Sequence, residues 1–218
     1  MGAFQNAGLL LPQSVQNMAE EYGYEEDNLL ILAGDEGRLR REYPETYRNL
    51  LSCGHQKDGR SYLEYAQDLV ASWVVEDYFR QMLLDAGCEI TAAGADRERR
   101  LLPNIRVSAS SDFRIRLDGR EIPVEFMCDY TGYWARSGKI DLRDSKFEKL
   151  KREGALFLGV DAKGGRAILL DFRREAPEAV YIPSHRPYGF KPAYSIPCPK
   201  ENFFPLSPQR LAQELAAR

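Results

Sequence analysis

The chain has 218 residues, and its 30 lysines and arginines against 33 acidic residues give a formal net charge of −3. Hydrophobic residues make up 44% and charged residues 29%, a balance typical of a globular protein rather than a disordered one. No apolar stretch approaches the roughly 18 residues of a membrane-spanning helix, no secretory signal is visible, and four dispersed cysteines without a C-x-x-C pair predict reduced thiols in a cytoplasmic protein.

Elements predicted from hydrophobic spacing form an α/β core with an addition at each end. The N-terminal addition, residues 1–60, is mixed and acidic, with a short helix near residues 45–51. The core, residues 61–172, begins with a long helix over 61–86, in which apolar residues recur every three or four positions. The C-terminal addition, residues 173–218, is an irregular wrap rich in proline and aromatic residues, with room for one strand before a final helix. We expect one compact domain overall.

After the long helix, the core alternates strands with a second helix. The predicted strands are 88–92, 113–117, 122–126, 155–160 and 166–172. The second helix is predicted from Ser145-Lys-Phe-Glu148, which has the form of a capping box, and from Gly154, which is placed to end it. This order predicts an α/β protein with a mixed central sheet flanked by helices.

Positive charge is concentrated in two segments of the chain. Residues 97–120 and 133–152 each carry a local net charge of +4, which leaves −11 for the remaining residues. Two basic segments on an acidic body suggest one face that contacts a polyanion, although ordinary solvated surfaces explain the same charges.

Residues 112–125 predict a hairpin whose register places two carboxylates opposite each other. If Asp118-Gly119 is a two-residue loop, the apolar residues of both strands share one face. The same register puts Asp112 opposite Glu125 on the other face, with Cβ atoms about 5 Å apart. A three-residue loop with a bulge would shift the register and separate the two carboxylates.

The facing Asp112 and Glu125 carboxylates repel each other unless a cation or a proton lies between them. A divalent cation relieves that repulsion, and Mg²⁺ takes one or two protein carboxylates together with water and phosphate oxygens. The pair therefore predicts a metal site. In the alternative interpretation, Asp112 only ends a strand and Glu125 pairs with one of the many arginines.

With this hairpin, residues 61–172 resemble the restriction-endonuclease-like superfamily, also called the PD-(D/E)XK nucleases. Ser111-Asp112 opens one strand, Val124-Glu125-Phe126-Met127 closes the next, and helices and strands follow in the order that the family uses. The resemblance implies a restriction-endonuclease-like core and a Mg²⁺-dependent phosphodiesterase, with Mn²⁺ able to substitute. It assigns Asp112 and Glu125 as metal ligands, where the ion activates a water and stabilises charge on the phosphate.

The chain departs from the family motif at two positions. Ser111 replaces the proline, which matters little, and Met127 stands where the motif lysine is expected. Methionine supplies neither charge nor proton, so the catalytic cation must come from elsewhere. Lys146, in the first turn of the second core helix, is the better candidate because a cation there opposes the helix dipole and needs another reason to be present. Lys139 is the other candidate. If neither serves, the site is inactive and the fold only binds.

Glu76 is the predicted third acid at the metal, because the resemblance implies an acid from the helix before the first strand. Glu76 lies in the inward stripe of the long helix, although a glutamate at the edge of such a stripe is more often paired at the surface. Glu64 and Asp68 are weaker alternatives.

Aromatic and basic residues around the hairpin are the predicted nucleic-acid contacts: Arg114, Arg116, Trp134, Arg136, Arg143 and Lys149. Segment 131–139 combines aromatic rings, cations and two glycines directly after the metal strand, so that Trp134 or Tyr133 is placed to stack on a base. The alternative is a surface loop with Trp134 buried for packing.

The sequence therefore predicts a Mg²⁺-dependent endonuclease that hydrolyses DNA, with RNA as an alternative substrate and a homodimer as a candidate assembly. A second hypothesis is a catalytically silent nucleic-acid-binding or scaffold protein that kept the fold and lost the motif lysine. A third is a regulatory or small-molecule α/β domain. His55 and His185 have no acid or cysteine at metal-ligand spacing, and no G-x-x-x-x-G-K-[ST] phosphate loop is present.

Overall fold

The structure, a computed structural model, describes residues 12–52, 61–93, 98–102, 111–117 and 119–218. His55, Asp118 and part of the 97–120 segment lie outside the described residues. Two compact units divide these ranges. One comprises residues 12–80 and 98–102 and is helical, and the other comprises residues 81–93 and 111–218 and contains the β-strands. In the described ranges, no helix has both the length and the apolar character needed to cross a membrane.

The helices of the first unit are α1 (Pro12–Glu21), α2 (Glu26–Ala33), α3 (Glu36–Glu42), α4 (Pro44–Ser52) and most of α5 (Tyr62–Asp85). Gly34, with a φ of 73°, ends α2, and the Asp35 carboxylate then caps α3 by accepting from the Arg38 amide. A hydrophobic core of this unit consists of eight buried residues among those that the structure describes: Leu30, Ile31, Leu39, Leu50, Ala66, Val70, Trp73 and Leu101.

Helix α5 confirms the long helix that apolar spacing predicts. Its first turn is capped reciprocally, because the Ser61 hydroxyl accepts from the Glu64 amide at 3.1 Å and the Glu64 carboxylate accepts from the Ser61 amide at 2.8 Å. Gly87 follows the helix at a φ of 83°, the left-handed conformation that commonly ends a helix.

The second unit contains strands that are, in chain order, β1 (Glu89–Ala92), β2 (Phe113–Leu117), β3 (Arg120–Asp129), β4 (Lys139–Arg143), β5 (Leu156–Asp161), β6 (Arg166–Asp171), β7 (Val180–His185), β8 (Lys191–Pro197) and β9 (Phe204–Pro205). Its further helices are α6 (Tyr133–Ser137), α7 (Asp144–Glu153) and α8 (Pro208–Ala216). One sheet has the order β1-β2-β3-β5-β6-β9 and the other the order β4-β8-β7. β3 and β5 run parallel and the other pairs are antiparallel, so the chain is mixed α/β with a mixed central sheet flanked by helices.

The hairpin of β2 and β3 has the predicted register. Ile115 pairs with Ile122, and pairing continues to Leu117 and Arg120, which leaves a two-residue loop. Gly119 in that loop has a φ of 74°, as a tight hairpin turn requires. The geometric premise of the proposed carboxylate pair is therefore met.

The chain after residue 172 is more regular than predicted. Instead of an irregular wrap, it supplies β7 and β8, which pair with β4 in the three-stranded sheet. Val180, Tyr181, Pro183 and Ser184 are all exposed, so β7 lacks the apolar–polar alternation that identifies a strand in a sequence. The final helix was predicted correctly, because the Ser207 hydroxyl caps α8 by accepting from the Arg210 amide.

Helix α7 begins one residue before the predicted capping box. Arg143 is its N-cap residue and provides no side-chain cap, so the box expected from Ser145 and Glu148 does not form. The reason is that β4 remains paired up to Arg143, where it meets Ala193 of β8, and leads directly into the helix. Gly154, at a φ of 57°, ends α7 as predicted.

Candidate functional site

Strand β3 carries Glu125 into the interior of the second unit. Glu125 is 4% exposed, although charged residues are rarely buried without partners. Alternate residues of a strand share a face, so Glu125 lies on the same face as Met127 and Asp129. β5 is paired to β3 with Phe157 beside Glu125. The buried carboxylate therefore needs partners of opposite charge or hydrogen-bond donors.

Asp112 immediately precedes β2 and lies beside Glu125 in the hairpin. Its backbone oxygen accepts from the Ala93 amide at 3.2 Å, and its carboxylate oxygen Oδ2 accepts from the Phe126 amide at 2.7 Å. The Phe126 amide belongs to the peptide that follows Glu125. This hydrogen bond therefore holds the Asp112 side chain against the part of β3 that the predicted hairpin register places opposite it. Ser111, the residue in the family's proline position, donates instead to Glu153 of α7 at 2.9 Å.

Helix α7 brings two lysines to Glu125. Lys146 Nζ lies 2.6 Å from Oε1, and Lys149 Nζ lies 2.9 Å from Oε2. Residues three apart on a helix share a face, which allows one carboxylate to meet both. The Lys149 side chain is 11% exposed and that of Lys146 is 36% exposed. Lys149, predicted as a surface contact for nucleic acid, is thus buried against Glu125, whereas Lys146 can reach solvent.

Glu125 contacts Lys146 and Lys149 directly, and Asp112 is held on the neighbouring strand by the Phe126 amide. These four residues are called here the Glu125 cluster. Its two carboxylates and two ammonium groups balance in formal charge. The lysines of α7 therefore supply cations that the sequence argument required beside the carboxylates. Lys139 goes elsewhere, because its Nζ lies 3.6 Å from Asp141 Oδ1. Of the two lysines expected to replace the motif lysine, Lys146 is the one that contacts Glu125.

Met127 packs at the motif position as an apolar residue. It is half-buried against a core cluster that includes Trp134, Ile140 and Phe157. Met127 therefore places no cation beside Glu125. The cations that contact Glu125 come from α7 instead.

The carboxylates of Asp112 and Glu125 are the oxygen donors that the predicted Mg²⁺ would use. Among the residues that the structure describes, no group of three or more His, Cys, Asp or Glu side chains could hold a metal ion. Mg²⁺ does not need three, since it takes one or two carboxylates and completes its shell with water and substrate oxygens. Asp112 and Glu125 offer hard oxygen donors of that kind.

Arg114 and Arg116 lie on the exposed part of the same hairpin face. Arg114 Nη1 is 3.6 Å from Glu121 Oε2, and Arg116 Nη1 is 3.0 Å from Glu89 Oε2. These exposed pairs contribute little to stability. The arginines are available to an anionic ligand, but the two glutamates reduce the local positive charge that the sequence suggested.

The other predicted contacts differ in exposure. Trp134 is 4% exposed and belongs to the core, which supports the packing alternative for this residue. Arg136 is exposed and donates to the Thr131 carbonyl at 2.6 Å. Arg143 is exposed, with its guanidinium 5.3 Å from the centre of the Tyr188 ring.

Glu76 belongs to the helical unit, where it is paired with an arginine. Arg99 Nη2 lies 2.9 Å from Glu76 Oε1 and 2.7 Å from Asp77 Oδ1, and the Tyr24 hydroxyl donates to Asp77 at 2.6 Å. This network ties residues 98–102 to α5. The role of Glu76 at a metal stays a prediction.

A buried histidine–aspartate pair in the second unit was missed by the sequence analysis. His185 Nε2 is 3.1 Å from Asp141 Oδ2, with both residues less than a tenth exposed, and the Tyr133 hydroxyl donates to the same oxygen at 2.8 Å. Burial acts to raise the pKa of Asp141, but hydrogen bonds from Ser195 and Tyr133 and the charge of Lys139 outweigh it and hold the pKa below its ordinary value. Asp141 and His185 are 44 residues apart and meet only because β4, β8 and β7 pair.

Comparison with known proteins identifies no family for this chain. No protein-family model matches it, and no curated protein is significantly similar in sequence. The case for a function therefore rests on the geometry of the site.

Proposed function

We propose that the protein is a Mg²⁺-dependent endonuclease with a restriction-endonuclease-like core, acting on DNA, with RNA as the alternative substrate. The observation that carries the proposal is the contact of 2.6 Å between Lys146 Nζ and Glu125 Oε1. It places a partly exposed cation from α7 at the acid of a motif whose own lysine position holds Met127.

The chain topology supports the same proposal. Helix α5 is followed by β1, the β2–β3 hairpin and the α7 crossover, and β5 then pairs parallel to β3. This is the order of elements on which the sequence resemblance rests. The hairpin register, which ends with Phe113 paired to Val124 and so brings Asp112 next to the level of Glu125, is a second support.

Each residue of the Glu125 cluster has a distinct role in the proposed reaction. Asp112 and Glu125 would hold Mg²⁺ through carboxylate oxygens, and the bound ion stabilises negative charge on the phosphate. Lys146, whose side chain reaches solvent, pairs with a phosphate oxygen and stabilises the charge that develops there. Lys149 is buried and holds the Glu125 carboxylate in one orientation.

A silent binding protein is the second candidate, and one observation favours it. Both oxygens of Glu125 already accept from lysines, and Asp112 Oδ2 already accepts from the Phe126 amide. Because the two lysines already balance the charges of the two carboxylates, no metal ion is required to neutralise them. In this case the fold binds nucleic acid without cleaving it.

Plasmid nicking separates the two candidates. The wild-type protein, Glu125→Gln and Lys151→Met are incubated with supercoiled DNA and Mg²⁺ or Mn²⁺, and DNA affinity is measured over a range of salt concentrations. Lys151 is exposed on the same helix and serves as the control. An endonuclease nicks the plasmid, loses that activity in Glu125→Gln and keeps it in Lys151→Met. Salt-sensitive binding without nicking supports the silent candidate, and absence of both refutes both.

A further inference from the structure

We propose that a cavity beside the Glu125 cluster binds one unstacked nucleobase of the nucleic acid. The cavity has a volume of about 290 Å³ and lies in the second unit between β3, α6 and the Arg186–Tyr188 turn. Its walls include Met127, Tyr133, Pro187 and Tyr188, and His185 contributes a polar edge. The inference rests on the proposed function, because it specifies how that site receives its nucleic acid.

The lining of the cavity suits a flat heteroaromatic ring. Tyr133 and Tyr188 offer aromatic rings, and Met127 adds a polarizable apolar surface. Binding pockets of small ligands combine such apolar walls with a few placed polar groups, and sites that receive an unstacked base use stacking together with hydrogen bonds to the edge of the base. The volume is at the lower end for small-ligand sites, which suits a single ring system rather than a larger molecule.

The hydrogen-bonding state of His185 supports a ligand with an N–H group. Asp141 faces Nε2, and in the neutral imidazole this fixes the proton on Nε2 and leaves a lone pair on Nδ1. Nδ1 is buried and has no hydrogen-bond partner among the described residues. An unpartnered buried nitrogen is costly. The amino group or ring N–H of a base is the complement of this lone pair.

The cavity begins two residues along β3 from Glu125, which belongs to the proposed reaction centre. Met127 lines it and follows Glu125 by two residues on the same face of β3, about 7 Å along the strand. Arg143, exposed beside Tyr188, adds a cation near the cavity. A nucleotide bound with its phosphate at Lys146 would therefore have a neighbouring base within reach of the cavity.

Photo-cross-linking tests the inference on the unaltered protein. A set of single-stranded oligonucleotides, each carrying 5-iodouracil at one position, is bound and irradiated, and the cross-linked peptide is identified by mass spectrometry. We expect one oligonucleotide position to cross-link to Tyr133 or Tyr188. Tyr181, which is 52% exposed on β7 and does not line the cavity, is the internal control.

A second experiment removes the base and the imidazole in turn. One abasic residue is moved along the oligonucleotide, and affinity is measured for the wild type, His185→Phe and His185→Asn. Base–aromatic stacking changes affinity roughly five- to a hundredfold, so we expect about a tenfold loss at one abasic position for the wild type. The loss becomes smaller in His185→Phe, which removes the acceptor but leaves both tyrosines, and recovers in part in His185→Asn, which keeps a hydrogen-bond acceptor.

The outcomes separate the cavity from the proposed function. If the protein binds and nicks DNA but cross-links only outside the cavity, or if every abasic position is equivalent, the inference is refuted and the nuclease proposal stands. If the protein binds no nucleic acid, both are refuted.

Discussion

Replacement of Lys149 by methionine tests the electrostatic structure of the Glu125 cluster. Methionine preserves most of the side-chain volume and removes one of the two cations that face Glu125. The Lys149 side chain is 11% exposed and that of Glu125 is 5% exposed, so solvent screens their interaction only weakly. After the change, Lys146 alone remains beside the Glu125 carboxylate.

Lys149→Met is expected to lower the free energy of unfolding by less than the loss of one partner from an isolated buried ion pair would. Loss of one partner of a buried ion pair costs about 3–5 kcal/mol, because the other charge is left uncompensated. Since Lys146 still contacts Glu125, we expect Lys149→Met to lower the free energy of unfolding by about 2–3 kcal/mol. For a chain of this size that corresponds to a decrease of roughly 5–10 °C in the unfolding temperature.

A double-mutant cycle assigns this cost to the pair rather than to repacking. Urea unfolding is measured for the wild type, Lys149→Met, Glu125→Gln and the double variant, and we expect a coupling energy of about 2 kcal/mol. Lys151→Met, at an exposed position of the same helix, is the control and stays within about 0.5 kcal/mol of the wild type. A coupling energy near zero would show that Lys149 does not hold Glu125 in solution, and the reasoning would be refuted.

Three further predictions follow from buried groups of the second unit. The pKa of Asp141 lies below its ordinary value of 3.8, so its ionised form stabilises the fold above that pH and the contribution is lost as the pH falls through the lowered pKa. We therefore expect Asp141→Asn to flatten the decline of unfolding free energy between about pH 5 and pH 2, and an unchanged decline contradicts this. Burial raises the pKa of Cys128 to about 12 and that of Cys198 to about 11. Cys198 is buried and Cys128 is half-buried. Because both pKa values are raised, both thiols react slowly with iodoacetamide at pH 8 in the native protein and rapidly in urea, as mass spectrometry can show, whereas rapid native labelling of Cys198 contradicts its burial. A Cβ atom at Gly159 would lie 2.9 Å from Ile168 Cγ2, so Gly159→Ala lowers the unfolding free energy by about 1–3 kcal/mol, and a neutral effect in thermal unfolding refutes the close packing.

The sequence was sufficient where a local rule and the burial pattern agreed. The two-residue loop before Arg120 and the alternation of apolar residues both select one hairpin register, and the structure has it. The position of Lys146 in the first turn of α7 also follows from the local pattern. Lys146 contacts Glu125, and its catalytic role stays a prediction.

The capping box shows why a local motif alone is insufficient. Ser61 and Glu64 form the reciprocal bonds at α5, whereas Ser145 and Glu148 have the same spacing and do not. Pairing of β4 continues to Arg143 and moves the start of α7 forward. Tertiary pairing therefore decides between two sequences with the same local preference.

The parts of the site that the sequence could not supply depend on distant strands. Asp141 meets His185 through β4, β8 and β7, and β7 has no periodic apolar pattern to reveal it. In the sequence, Lys149 is one of several cations of a basic segment, with no pattern that separates it from surface residues. Only the packing of α7 against β3 distinguishes it from its exposed neighbours.

The most direct test of the central claim is to move the proposed catalytic lysine from position 146 to position 127, where the resemblance expects it. Nicking rates with Mg²⁺ are measured for the wild type, Lys146→Met and the double variant Lys146→Met/Met127→Lys. If Lys146 supplies the motif cation, its removal lowers the rate by about a hundredfold or more, as loss of a transition-state charge partner does, and Met127→Lys restores part of the activity. Cleavage by Lys146→Met at the wild-type rate would contradict the account.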